Sequence, residues 1–87
     1  MIYPNPADGV DPVRLRLNLT EASDVKVQIF TVAFRKVREQ VYTQVGAGED
    51  LPLKLKDNWG KPLAGGLYYL VITTVDGRFL EKLLVLR

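Results

Sequence analysis

Nine consecutive residues, Leu67 to Val75, are all aliphatic, aromatic or β-branched (Leu-Tyr-Tyr-Leu-Val-Ile-Thr-Thr-Val), and Asp76-Gly77 follows at once. A run this short and this rich in β-branched and aromatic side chains predicts a central strand. Asp-Gly is the strongest short hairpin signal, because a type I′ turn needs positive φ at both central residues. Arg78 to Leu86 is therefore expected as the return strand. A chain committed to such a hairpin must cover it with more sheet.

The rest of the sequence supplies that sheet. Val13, Leu15, Leu17 and Leu19 alternate with Arg14, Arg16 and Asn18, so Val13 to Thr20 reads as a half-buried strand. Glu21-Ala22-Ser23-Asp24 supplies a turn. A second strand follows, with Val25, Val27 and Ile29 inward and Lys26 and Gln28 outward. Thr31 to Tyr42 carries some helical spacing at Ala33, Val37 and Val41, but no helix cap precedes it and β-branched residues dominate. It is read as strand, with a bend near Ala33-Phe34-Arg35. Gly46 to Asp50 is a loop. Leu51, Leu53 and Leu55 alternate with Pro52, Lys54 and Lys56, and Pro52, lacking an N–H, puts that strand at a sheet edge. Asp57 to Gly66 is a long turn-rich loop.

Six or seven short, mostly antiparallel strands with no convincing helix predict an immunoglobulin or fibronectin-III-like β-sandwich. Residues 1–12 contain Pro4, Pro6 and Pro12 and read as an extended lead-in, with the sandwich over 13–87. The length of 87 residues suits one domain, which at that size buries only about 60–65% of its unfolded surface.

Composition narrows the function. The net charge of +2 comes from scattered Lys and Arg, which is no nucleic-acid footprint. No apolar run reaches the length of a membrane span, and Met1-Ile2-Tyr3-Pro4 has neither the basic start nor the apolar stretch of a signal peptide. The sequence has no cysteine and no histidine, which removes disulfides, thiolate metal sites, the usual general base and the best neutral-pH nucleophile. The one serine, Ser23, sits in a turn with no base beside it. Asp8, Asp11, Glu49, Asp50 and Asp57 lie in turn-rich segments without the spacing of a calcium loop. No enzyme activity, cofactor or metal is expected. Asn18-Leu19-Thr20 matches a glycosylation sequon but falls inside a strand pattern.

Two features remain as candidate sites. Trp59, in a polar glycine-rich loop, is either a loop anchor packed on the sandwich or, with Tyr68, Tyr69 or Tyr42, a stacking platform for a sugar. The last two strands carry more apolar residues than one buried face needs. Leu80, Leu84 and Leu86 alternate with Phe79, Leu83 and Val85, and Leu67 to Val75 is apolar on both faces. Tyr69, Val71, Phe79, Leu83 and Val85 are the candidate interaction surface. Its partner would be secretion or anchoring machinery, a neighbouring domain, or a second copy of the chain. Burial under the long loops and the N-terminal arm is the competing account.

Four blocks carry a family resemblance over nearly the whole chain. They are Tyr3-Pro4-Asn5-Pro6; Val27 to Val32 with Arg35-Lys36-Val37; Asp57 to Tyr68, with its fixed offsets of turn residues and an aromatic; and the ending Lys82 to Arg87. In these the chain resembles the immunoglobulin-like domain of the flagellar hook-capping protein. More broadly it is similar to C-terminal modules of exported bacterial surface proteins, including type IX secretion sorting domains. Phe34 departs from the pattern, standing where the family turn usually has glycine. The resemblance implies a sandwich, no catalysis, and an extracellular or cell-surface location as the C-terminal module of a larger secreted protein. It implies a sorting, anchoring or assembly role. An assembly unit, as in hook capping or a surface polymer, and a carbohydrate-binding module are the alternatives.

Overall fold

The computed structural model describes residues 2–8, 12–17, 19–46 and 48–86. Asp11, Asn18 of the sequon and Arg87 of the terminal block lie outside them. Seven strands form: β1 (Ile2–Tyr3), β2 (Val13–Arg16), β3 (Ser23–Thr31), β4 (Lys36–Val45), β5 (Asp50–Leu53), β6 (Gly66–Thr74) and β7 (Gly77–Val85). They make a three-stranded sheet in the order β1-β2-β5 and a four-stranded sheet in the order β4-β3-β6-β7, with every strand pairing antiparallel. This is the immunoglobulin-like sandwich that the alternation predicts, and the described residues include no helix.

The core follows from period two. Val25, Val27 and Ile29 of β3, Tyr68, Leu70 and Ile72 of β6, and Leu83 and Val85 of β7 bury against Val13, Leu15, Leu51 and Leu53 of the smaller sheet. No polar or charged residue is buried among the described residues. Pro52 sits in β5, which is an edge strand, as its missing N–H requires. The bend before β4 is present. Phe34 has φ 61°, the left-handed conformation that glycine would adopt without strain, and its N–H donates to the Thr31 carbonyl at 2.8 Å.

Three expectations are corrected. The first strand stops at Arg16 instead of continuing to Thr20, although Leu19 is still buried. The β6–β7 turn is not type I′. Thr74 pairs with Gly77, so Val75 and Asp76 are the central residues, and neither has positive φ; only Gly77 does, at 131°. The Asp76 N–H donates to the Thr74 hydroxyl at 3.0 Å, and its carboxylate accepts the Thr20 N–H and hydroxyl at 3.0 and 2.6 Å. These bonds fix Asp76 in the turn and tie the hairpin tip to the segment after β2. Thirdly, β7 presents its Leu83 face to the core, which is taken up below.

Residues of the proline-rich opening are stitched into the sandwich. Ile2 pairs with Leu15, and both Ile2 and Ala7 are buried. Ala7 lies parallel to Val85, donating to the Leu84 carbonyl at 2.7 Å and accepting the Leu86 N–H at 2.6 Å. The Asn5 carboxamide donates to the Lys82 carbonyl at 2.8 Å and accepts the Leu84 N–H at 3.1 Å. Tyr3 donates to Asp50 at 2.5 Å, and Arg16 donates to the same carboxylate at 2.9 Å, so one aspartate of β5 joins β1 and β2.

Candidate docking surface

The antiparallel register arranges the outward side chains of the larger sheet as a grid, because side chains at paired positions share a face. One row reads Val41, Lys26, Thr73, Arg78; the next Glu39, Gln28, Val71, Leu80; the next Lys36, Phe30, Tyr69, Lys82. Leu67 beside Leu84 closes the β6–β7 half. The β4 side is polar. There the Lys36 ammonium and the Gln28 amide both donate to Glu39, at 3.0 and 2.8 Å, and hold its carboxyl below the usual range, with Lys36 the larger influence. The β6–β7 side is apolar at its centre, between Arg78 and Lys82. Leu80 is 61% exposed, and Leu67 and Leu84 are also exposed. The exposed Phe34 ring stacks on Tyr69 with centroids 5.5 Å apart and planes 7° from parallel.

Of the candidate interaction residues, Tyr69 and Val71 lie on this outward face, partly exposed. Leu83 and Val85 do not. They are 0% and 1% exposed, because register sets Leu83 beside Tyr68 and Val85 beside Gly66 on the inward side. Phe79 shares their parity but sits beyond the end of β2, where it lines a cleft of about 290 Å³ with Leu19 and Ile72. The exposed apolar residues of β7 are thus Phe79, at the cleft, and Leu80 and Leu84, the alternate residues of the same strand. Two apolar alternations carry no mark of which one faces inward. Phe34 is the further contributor that its place in a turn conceals.

Trp59 neither anchors its loop nor joins a platform. It is 83% exposed. The loop holds itself: Asp57 Oδ1 accepts the Trp59 and Lys61 N–H groups, each at 2.9 Å, and the Gly60 N–H donates to the Asp57 carbonyl at 3.0 Å. Such an Asx-turn needs no help from the indole. Tyr68 is buried with its hydroxyl donating to the Ala64 carbonyl at 2.7 Å, Tyr42 donates to the Pro52 carbonyl at 2.6 Å, and Tyr69 is occupied by Phe34. Among the described residues no group of three or more acidic side chains comes together as metal ligands.

Both edges of the larger sheet are occupied in part by an asparagine. Asn5 covers β7 as described above. On β4, the Asn58 N–H donates to the Val37 carbonyl at 3.0 Å, and its side-chain oxygen accepts the Glu39 N–H at 3.2 Å. Bonds of this kind remove sites where another strand could add. They leave the outward face as the broad uncovered surface of the sheet.

Neither a curated protein nor a solved structure matches the chain. A family profile does, over residues 1–86: the secretion system C-terminal sorting domain. The match takes in all four sequence blocks up to Leu86, and it is to the sorting domain, not to the hook-capping domain. That family is in general non-catalytic, and type IX sorting domains mark proteins exported to the cell surface or the extracellular space. The chain therefore belongs to the secretion system C-terminal sorting domain family.

Proposed function

We propose that this sorting domain is read by the secretion machinery through the outward face of β6 and β7. The observation that supports the reading is the apolar half-grid of Leu67, Tyr69, Val71, Leu80 and Leu84, on which, among the described residues, Phe34 stacks at Tyr69 while Leu67, Leu80 and Leu84 stay exposed. By strand spacing and rise, the two-stranded apolar half spans about 10 by 20 Å, on the order of 200 Å². An apolar strip of that size, flanked by charged side chains, can form the centre of an interface of about 800 Å² per partner.

Truncation of β7 cannot test this, since it would remove Leu83 and Val85 from the core. Point substitutions can. The domain would be fused behind a reporter carrying a signal peptide and expressed in a host with type IX secretion. Val71→Asn with Leu80→Asn should leave the fold intact by circular dichroism and strand the reporter inside the cell envelope. Delivery equal to that of the unsubstituted fusion would sink the reading.

A further inference from the structure

We infer that the partner of this face is a protein surface bearing an acidic rim around an apolar centre; the inference rests on the docking reading above and adds the chemistry of its partner. The face carries Lys26, Lys36, Arg78 and Lys82 against two acids, Glu39 within the grid and Asp24 at its end beside Lys26, where it accepts the Gln44 N–H. Lys36 and Gln28 already engage Glu39. Arg78 and Lys82 flank Leu80 along β7, and Lys26 lies across Thr73 from Arg78. The imbalance is local, because the whole chain carries only +2.

Side-chain length gives the face relief. Lysine and arginine stems outreach valine and leucine, so their charged heads can reach past the apolar side chains to carboxylates around them. A protein partner that projects apolar side chains between carboxylates would meet both features at once, and its field would steer the encounter. A second copy of this chain fits badly, since an isologous pairing would bring together two faces of the same net positive sign. An anionic lipid surface is the competing occupant, and the flotation described below separates it from a protein.

The test uses the same export fusion. Arg78→Glu with Lys82→Glu should lower surface delivery by about tenfold or more, since like charges would face the partner's rim. Arg78→Gln with Lys82→Gln should give a smaller loss, and keeps the test open if the reversed pair folds poorly. Lys54→Glu, a charge reversal just past β5 on the other sheet, should change nothing. Normal delivery of the reversed pair, while Leu80→Asn fails, would overturn the acidic-rim inference and leave the docking face standing. Normal delivery of Leu80→Asn as well would remove the docking face itself. The purified domain would also be floated with phosphatidylglycerol–phosphatidylethanolamine vesicles. No co-flotation is expected, and binding that the charge reversal abolishes would overturn the inference in favour of lipid.

Discussion

Asn5 grips Leu84 as a neighbouring strand would: its side-chain oxygen accepts the Leu84 N–H at 3.1 Å, while its amide donates to the Lys82 carbonyl at 2.8 Å. A single carboxamide thus supplies both halves of a β ladder step on an edge whose next step Ala7 completes. Asn5→Ala should destabilise the domain by about 1 kcal/mol. For a domain of this size that lowers the melting temperature by roughly 4–8 °C. It should also raise light scattering on concentration, as the freed edge pairs with other molecules. An unchanged melt and a clean monomer would remove the edge-cover role.

Phe34 reverses a familiar preference. At φ 61° a side chain strains the backbone by about 1 kcal/mol, while the ring's stack on Tyr69 returns about 0.5–1.5 kcal/mol. Phe34→Ala loses the stack and keeps the strain, whereas Phe34→Gly loses both. Urea midpoints should therefore rank the glycine variant above the alanine variant. The opposite order would show that the turn does not hold its left-handed residue.

The two apolar alternations of β7 should separate cleanly in a stability assay. Leu83→Ala opens a cavity in the core and should cost about 2–5 kcal/mol, a large share of what so small a domain has. Leu80→Ala, on the outward face, should stay within about 0.5 kcal/mol. Comparable losses would mean that the outward face is packed against something in solution.

Acid should loosen the sandwich through two carboxylates. Asp50 is held below the usual aspartate range chiefly by the bond from Arg16, then by that from Tyr3; Asp76 is held below it by the Thr20 hydroxyl, then by the Thr20 N–H. Because both folded values lie under the unfolded one, their contribution is complete above about pH 4. It is lost as pH falls below that, through the folded values. Melting temperature should decline over that acid window. Asp76→Asn should flatten part of the decline, and Thr20→Val should do the same by removing the bond that depresses Asp76. A decline identical in all three proteins would show that the Thr20–Asp76 link is not linked to folding.

Much of the fold was legible because period two acts locally. Val25, Val27 and Ile29 point inward as their alternation demands, Pro52 marks an edge, and the run from Leu67 is central. What resisted reading depends on partners distant in sequence. Asp76-Gly77 looks like a type I′ pair, but the register sets Thr74 opposite Gly77 and makes Val75 and Asp76 central, with the Asp76 carboxylate bound by Thr20, 56 residues away. Leu80 and Leu83 are equally apolar, and only register against β6 separates surface from core. The proline-rich opening carries no alternation, so nothing local reveals that Ile2 and Ala7 are core residues. Trp59 has the reverse history: an indole usually signals burial, but an Asx-turn beside it freed it from that duty.

The span from Asn5 to Leu84 has a consequence in time. Those residues stand 79 apart, and the strand they complete carries Leu83 and Val85. Contacts that close so large a loop come late, since they demand the most chain entropy before they return any energy. No shorter piece of the domain owns a finished core. A chain threaded through a pore from its N-terminal side would carry Asn5 across well before β7 arrived. The sandwich could then close only when both lay on the same side, so that folding itself would register a passage completed.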